Sequence, residues 1–210
     1  WLPEHVQIAA FNGEASSNAD FTRGTTIFLA ELKPTDAGLD ERFFHELYHV
    51  LSRANAARRD ELYAIVGFER CTPMTLDRAL TSRILVNPDA PIIEYASRIV
   101  INGKTLWATP LMLANLPRYT ERSGLFDHIE LQFIALRRDA AGRCEADPSA
   151  RVSQWELGDA VIAQAGGNTA YVIHPEELMA DNFAQLMVGR VDVRTPQIHD
   201  RIATILGVSR

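Results

Sequence analysis

Cysteine is scarce in this chain. Cys71 and Cys144 are the only two in 210 residues, and neither sits in the CxxC spacing of a metal-binding pair. Two such cysteines can form one disulfide or remain two buried thiols. An initiator Met is also missing. The chain starts at Trp1, as a mature secreted or periplasmic protein would, or one trimmed at its start. That start tips the expectation towards a Cys71–Cys144 disulfide and an oxidising compartment. Basic charge is short as well. Lys and Arg number 21 against 27 Asp and Glu, a net charge of -6, which argues against a nucleic-acid partner because that role needs a basic stripe. No run is long and apolar enough to cross a membrane. Signal peptide, internal repeat and low-complexity tract are all absent. What remains has the 47% hydrophobic content of an ordinary folded protein, sized for one domain over residues 1–210, with two lobes around a cleft.

Periodicity gives the elements. Thr25 to Leu32 is β-branched, aromatic and apolar, which predicts a strand ended by Lys33-Pro34. A loop containing Gly38 follows over Asp36 to Leu39. A helix is expected from Asp40, acting as N-cap, to about Asn55, with Phe43, Phe44, Leu47, Val50 and Leu51 as its apolar stripe. A second helical stretch spans Glu61 to Val66 and stops at Gly67. Thr72-Pro73, Asn87-Pro88 and Ala90-Pro91 punctuate an extended or looped region. Asn102-Gly103 between Arg98–Ile101 and Lys104–Trp107 predicts a hairpin with a type I′ turn. Ile129 to Leu136 reads as a further strand. Asp139 to Ser149 is polar, and a short run through Trp155 follows. Gly166-Gly167-Asn168 makes a turn before extended Tyr171-Val172-Ile173. A helix opens at Pro175, with Glu176 and Glu177 suited to the positive end of its dipole. Thr195-Pro196 starts a last helix reaching about Leu206, before Gly207. The fold class expected is α+β: a small mixed or antiparallel sheet beside the first helix, and a second helical part.

His45-Glu46-Leu47-Tyr48-His49 stands inside the first helix. Residues i and i+4 share a helix face, so His45 and His49 can grip one metal ion. Glu46, beside the first, can then act as general base on a metal-bound water. A catalytic zinc takes three protein ligands and keeps one position open. A Gly and a third His downstream would supply one completion, but Ser52 and Asn55 occupy those places. A downstream Gly-Thr-x-x-Asp would supply another, and none exists. Glu177 with Asp181, again i and i+4, resembles the completion that gluzincins use, a Glu on a later helix with an Asp one turn further on. Glu177 can ligate, and Asp181 can accept from the distal nitrogen of a zinc histidine. Glu176 is the rival ligand, but its i+4 partner is Ala180.

With these residues the chain resembles the gluzincin zinc metallopeptidases, the thermolysin type of active site. The likeness rests on His45, Glu46, His49, Glu177 and Asp181, and on the strand over Thr25 to Leu32. It covers well under half of the chain, and the long stretch between the two helices departs from that family's spacing. The segment from Ile173 to Phe183 is also similar to the second motif of uncharacterised bacterial HExxH proteins. The resemblance implies a zincin-like fold and a Zn2+ cofactor held by His45, His49 and Glu177. It also implies Glu46 as general base, a peptide or protein substrate, and Tyr171 or His174 as partner to the oxyanion. The edge of the Thr25 to Leu32 strand is then a place for an extended peptide. A zinc-binding interaction protein on a peptidase scaffold, and a zinc amidase acting on a non-peptide or cell-wall substrate, use the same residues.

Each residue also has a plainer role. HExxH is short enough to arise by chance. Glu176, Glu177 and Asp181 suit the first turns of a surface helix, and Glu176 is best read so. Tyr171 fits a strand core, and His174 fits the approach to a helix or a fourth ligand position. Tyr48 packs. His5, His128 and His199 have no partner pattern and are expected at the surface or in structural positions.

Overall fold

The computed structural model describes residues 1–30, 38–115 and 125–208, with backbone alone for residues 15 and 125. It is a mixed α+β architecture of two sheets and packed helices. Strands β1 (Gln7–Phe11), β2 (Phe21–Arg23) and β3 (Thr26–Ala30) form a small mixed sheet in the order β1-β3-β2. Ile27 and Leu29 of β3 alternate into a buried cluster, as period-2 patterning requires. Glu31, Leu32, Lys33-Pro34 and Asp36 lie outside the described residues.

The expected open edge on this strand does not hold over 26–30. β3 is central, with β1 parallel on one side and β2 antiparallel on the other. The β2 ladder covers Thr26 to Phe28, and beyond it the Ala30 N–H donates to Asp20 at 2.7 Å while the Ala30 carbonyl accepts from Arg42 at 2.6 Å. On the outer strand β2, the Thr22 N–H already donates to the Asp89 carboxylate at 3.0 Å.

Helix α1 (Leu39–Ala54) packs Leu47 and Val50 onto β3. Its N-cap is Gly38, not Asp40. Asp40 sits one step inside, in the first turn, where a carboxylate favours the dipole without capping. Helix α2 (Arg59–Tyr63) begins two residues before the predicted stretch and passes into a 3-10 turn over Ala64–Val66. Gly67 ends it at φ 79°, a left-handed angle that glycine takes at little cost.

The larger sheet contains β4 (Phe68–Arg70), β5 (Met74–Thr75), β6 (Tyr95–Ile101), β7 (Lys104–Ala114), β8 (Ile129–Arg138) and β9 (Cys144–Ala146). A short helix α3 (Arg78–Thr81) follows β5. The strand order is β4-β6-β7-β8-β9-β5. Asn102 at φ 51° and Gly103 at φ 75° form the β6–β7 turn, as the Asn-Gly signal predicts. The two outermost strands, β4 and β5, are joined by residues 71–73 alone, so the sheet must roll until its edges meet. Arg138 of β8 bridges that roll, donating to Glu69 at 3.0 Å and to the Arg70 carbonyl at 3.1 Å on β4. The Cys71–Cys144 disulfide ties the residue just after β4 to β9. One sheet face closes over Cys71, Ala96, Leu136 and Cys144. The other carries Ile99, Ala108, Phe133 and Ala135 into the main core shared with the helices.

Helix α4 (Gln154–Gln164) covers that second face. Its start is a capping box: Ser153 Oγ accepts from the Glu156 N–H, and Glu156 accepts from the Ser153 N–H. The apolar residues around Trp155 suggest only a short run there, whereas Ser153 and Glu156 carry the real helix signal. Gly158 lets the helix approach closely, since a Cβ there would stand 3.0 Å from the Phe133 ring.

Tyr171 to Ile173, expected to be extended, forms no strand and joins neither sheet: the Val172 N–H turns back to the Ala170 carbonyl at 2.9 Å, and the chain bends at Ile173. Helix α5 (Pro175–Met187) then lies antiparallel to α1, with Ser52 meeting Glu176 at one end and Glu41 meeting Arg190 at the other. Helix α6 (Pro196–Leu206) ends at Gly207, as expected. Thr195 holds its N-cap position but makes no capping bond, its hydroxyl donating instead to the Gly166 carbonyl. No described helix is long and apolar enough to cross a membrane.

Candidate metal centre

The α1–α5 contact brings the two halves of the motif together across more than a hundred residues of sequence. His45 and His49 extend from α1 towards Glu176, Glu177 and Asp181 of α5. His45 Nδ1 lies 2.8 Å from Asp181 Oδ1, and His49 Nδ1 lies 3.1 Å from Glu176 Oε1. A carboxylate only accepts, so both Nδ1 atoms donate, and each ring turns Nε2 to the same point. Glu177 Oε2 is at that point, 3.0 Å from His45 Nε2 and 3.6 Å from His49 Nε2. Donor atoms about 2.0–2.1 Å from a tetrahedral metal stand about 3.3 Å apart, so this donor set fits a small divalent ion.

His45, Glu46 and His49 also offer ligand atoms within 4.8 Å of one another, a group that could hold a metal ion. Glu177 could also serve as a donor, since its oxygen faces both imidazoles from the opposite helix. Glu46 is buried, and its Oε2 makes no hydrogen bond among the described residues. An orphaned buried oxygen beside two imidazoles calls for a partner that the described residues do not supply.

Charge in the site is strongly coupled. Burial works to lower the His45 imidazole, yet Asp181 and Glu177 outweigh it and hold its pKa up at about 9. His49 is likewise opposed by burial and raised well above its usual value by Glu177 and Glu176. Burial would raise Glu177, but His49 and His45 hold it well below the ordinary carboxylate range. Glu46 goes the other way. Burial pushes its carboxyl up to about 7, only partly offset by the two histidines.

Glu176 is not the surface acid expected of a first helical turn. It is 1% exposed and accepts from His49, from Ser52 Oγ at 2.7 Å and from the Tyr63 hydroxyl. His174 does not reach the centre as an electrophile or fourth ligand. It is the N-cap of α5: Nδ1 accepts from the Glu176 N–H at 3.0 Å, and Nε2 lies 3.1 Å from the Ile92 carbonyl. Both ring nitrogens are engaged. Tyr171 is 43% exposed, so it is no strand core residue. Its ring centroid lies 6.2 Å from that of His45. Local desolvation, Glu177 and Asp181 raise its phenol, which keeps it a hydrogen-bond donor. Tyr48 packs against Phe183, His5 is exposed, and His128 and His199 are buried structural residues.

Sequence spacing does not reveal Asn87, whose Nδ2 donates to Glu177 Oε1 at 2.6 Å. The centre opens into a cleft of about 760 Å³. Phe11, Phe21, Val86, Met112, Phe126 and Ile129 supply apolar lining alongside His45, Glu46 and Tyr171. No family model, curated protein or solved structure matches the chain.

Proposed function

We propose that this chain is a zinc-dependent hydrolase, a metallopeptidase of gluzincin type, with His45, His49 and Glu177 as its Zn2+ ligands. One observation carries the reading. Two imidazoles, each held at Nδ1 by its own carboxylate, converge with Glu177 Oε2 within 3.6 Å, next to a buried carboxylate with a partnerless oxygen. A structural site would close its fourth position with Cys or His. Here both cysteines are in the disulfide, and His174 is committed to the helix cap.

Held by His45, His49 and Glu177, zinc would supply a Lewis acid able to acidify water and polarise a carbonyl. The residues of the chain do the rest. Glu46, raised to about 7, is poised near neutrality to take a proton from water and return it to the leaving amine. Tyr171, kept protonated, donates towards the developing oxyanion from the cleft wall. The apolar lining suits a peptide segment with large apolar side chains. The disulfide favours a secreted or periplasmic setting.

The test is metal content together with turnover of a peptide library. Glu46→Gln should keep full zinc and lose about 10²- to 10⁴-fold in turnover, the usual worth of a general base. His49→Ala and Glu177→Ala should lose zinc and turnover together. Full zinc in Glu177→Ala would remove it from the ligand set. Zinc bound by the parent with no peptide turnover would favour the interaction protein or the amidase instead.

A further inference from the structure

The two oxygens of Glu177 face different partners. Oε2 faces both imidazoles, and Oε1 accepts from Asn87. The Asn87 amide is itself fixed, because its Oδ1 accepts from the Asp89 N–H at 2.9 Å. That bond orients the amide and points Nδ2 at Glu177. Pro88, between the two residues, locks one backbone angle of the turn.

The segment carrying this turn is anchored at separate places. Asp89 is buried and accepts from the Thr22 N–H and hydroxyl of β2. It also lies 3.5 Å from the Arg53 guanidinium of α1. The Ile92 carbonyl faces His174, the N-cap of the helix that carries Glu177. A donor on such a segment holds its position independently of the carboxylate it meets. A glutamate carboxylate otherwise rotates over a broad, two-fold range about its last bond.

We propose that Asn87 is a positioning residue for the metal centre: it retains Oε1 of Glu177 and presents Oε2 alone to the ion. This rests on the metal-binding reading but not on peptidase activity. Asn87→Asp separates the two duties of the side chain. It keeps an acceptor for the Asp89 N–H, and with it the turn, but replaces the donor to Glu177 by an acceptor. Asn87→Ala removes both.

The measurements are zinc affinity by chelator competition on the full chain, circular dichroism for folding, and the visible spectrum of the cobalt(II)-loaded protein. Outer partners of metal ligands are typically worth about 10- to 100-fold in affinity. Both variants should therefore fold and lose zinc affinity by that factor, and the cobalt bands of Asn87→Asp should move. Affinity within twofold of the parent in either folded variant, or an unchanged cobalt spectrum in Asn87→Asp, overturns the proposal. A parent that binds no zinc overturns the metal-binding reading itself, and the role of Asn87 with it. A parent that binds zinc as tightly as Asn87→Asp overturns only Asn87.

Discussion

Glu176 and Glu177 are adjacent in the chain yet serve different atoms of the same imidazole. Glu177 faces His49 Nε2, and Glu176 holds His49 Nδ1. Removing Glu176 would strand three buried donors: His49 Nδ1, Ser52 Oγ and the Tyr63 hydroxyl. Breaking a buried charged pair by deleting one partner costs about 3 to 5 kcal/mol. Glu176→Ala should therefore lose that much in chemical denaturation, and His49 should lose its orientation, weakening zinc about 10- to 100-fold. Parent-like stability in this variant would mean that the network holds nothing. The residues that sequence spacing found, His45, Glu46, His49, Glu177 and Asp181, all sit one or four places apart on a helix. The residues it missed reach the site in other ways. Glu176 has the position of an ordinary first-turn acid, and its burial depends on α1 lying across it. Asn87 meets Glu177 from a turn 90 residues earlier. No local pattern encodes either contact.

Helix α5 adds a titrating element of its own. The His174 cap works only with a neutral ring, because Nδ1 must accept from the Glu176 N–H. Burial lowers the His174 pKa below its ordinary 6.5. In the unfolded chain the same imidazole takes up its proton near 6.5. The cap therefore contributes fully above that pH, and its contribution falls as pH drops below it. His174→Asn keeps an acceptor at the N-cap without the titration. Between pH 7.5 and 5.5, roughly one unit either side of the ordinary value, the parent should lose stability faster than this variant. The difference in slope is at most about 1.4 kcal/mol per pH unit. Parallel slopes in denaturant titrations would sink the idea. Long elements were readable here because pattern and punctuation agree: α1, α5, α6 and the β6–β7 hairpin each have a stripe or a turn signal. Helix α4 escaped the apolar pattern because its signal is a polar pair, Ser153 and Glu156. Helix α1 starts at Leu39 behind a Gly38 N-cap, and Asp40, the cap expected from sequence, lies in its first turn, where it serves the dipole.

Across the molecule, sheet order was the part hidden from sequence. Strands β4 and β5 are near neighbours in the chain and opposite edges of one sheet. Ladder partners of that kind leave no periodic trace, and β5 is only two residues long. The disulfide joins residues 73 apart across this roll. In a chain-entropy model a loop of that length contributes about 4 kcal/mol. Cys71→Ser with Cys144→Ser should lower the denaturation midpoint accordingly. It should leave zinc affinity unchanged, because neither cysteine lines the metal cleft. Loss of zinc binding at temperatures where the variant stays folded would show that the two regions are coupled.

Among the described residues, one helix, α5, carries each carboxylate hydrogen-bonded to the two imidazoles of α1. For the proposed ligand set of His45, His49 and Glu177, neither helix alone supplies all three donors. The centre therefore exists only when the two have docked in register, and a shift of one turn along either axis would dismantle every contact together. Metal affinity becomes a gauge of tertiary order. A partly folded chain with both helices formed but undocked would bind zinc no better than a loose peptide, and saturating metal would draw the folding equilibrium towards the docked pair.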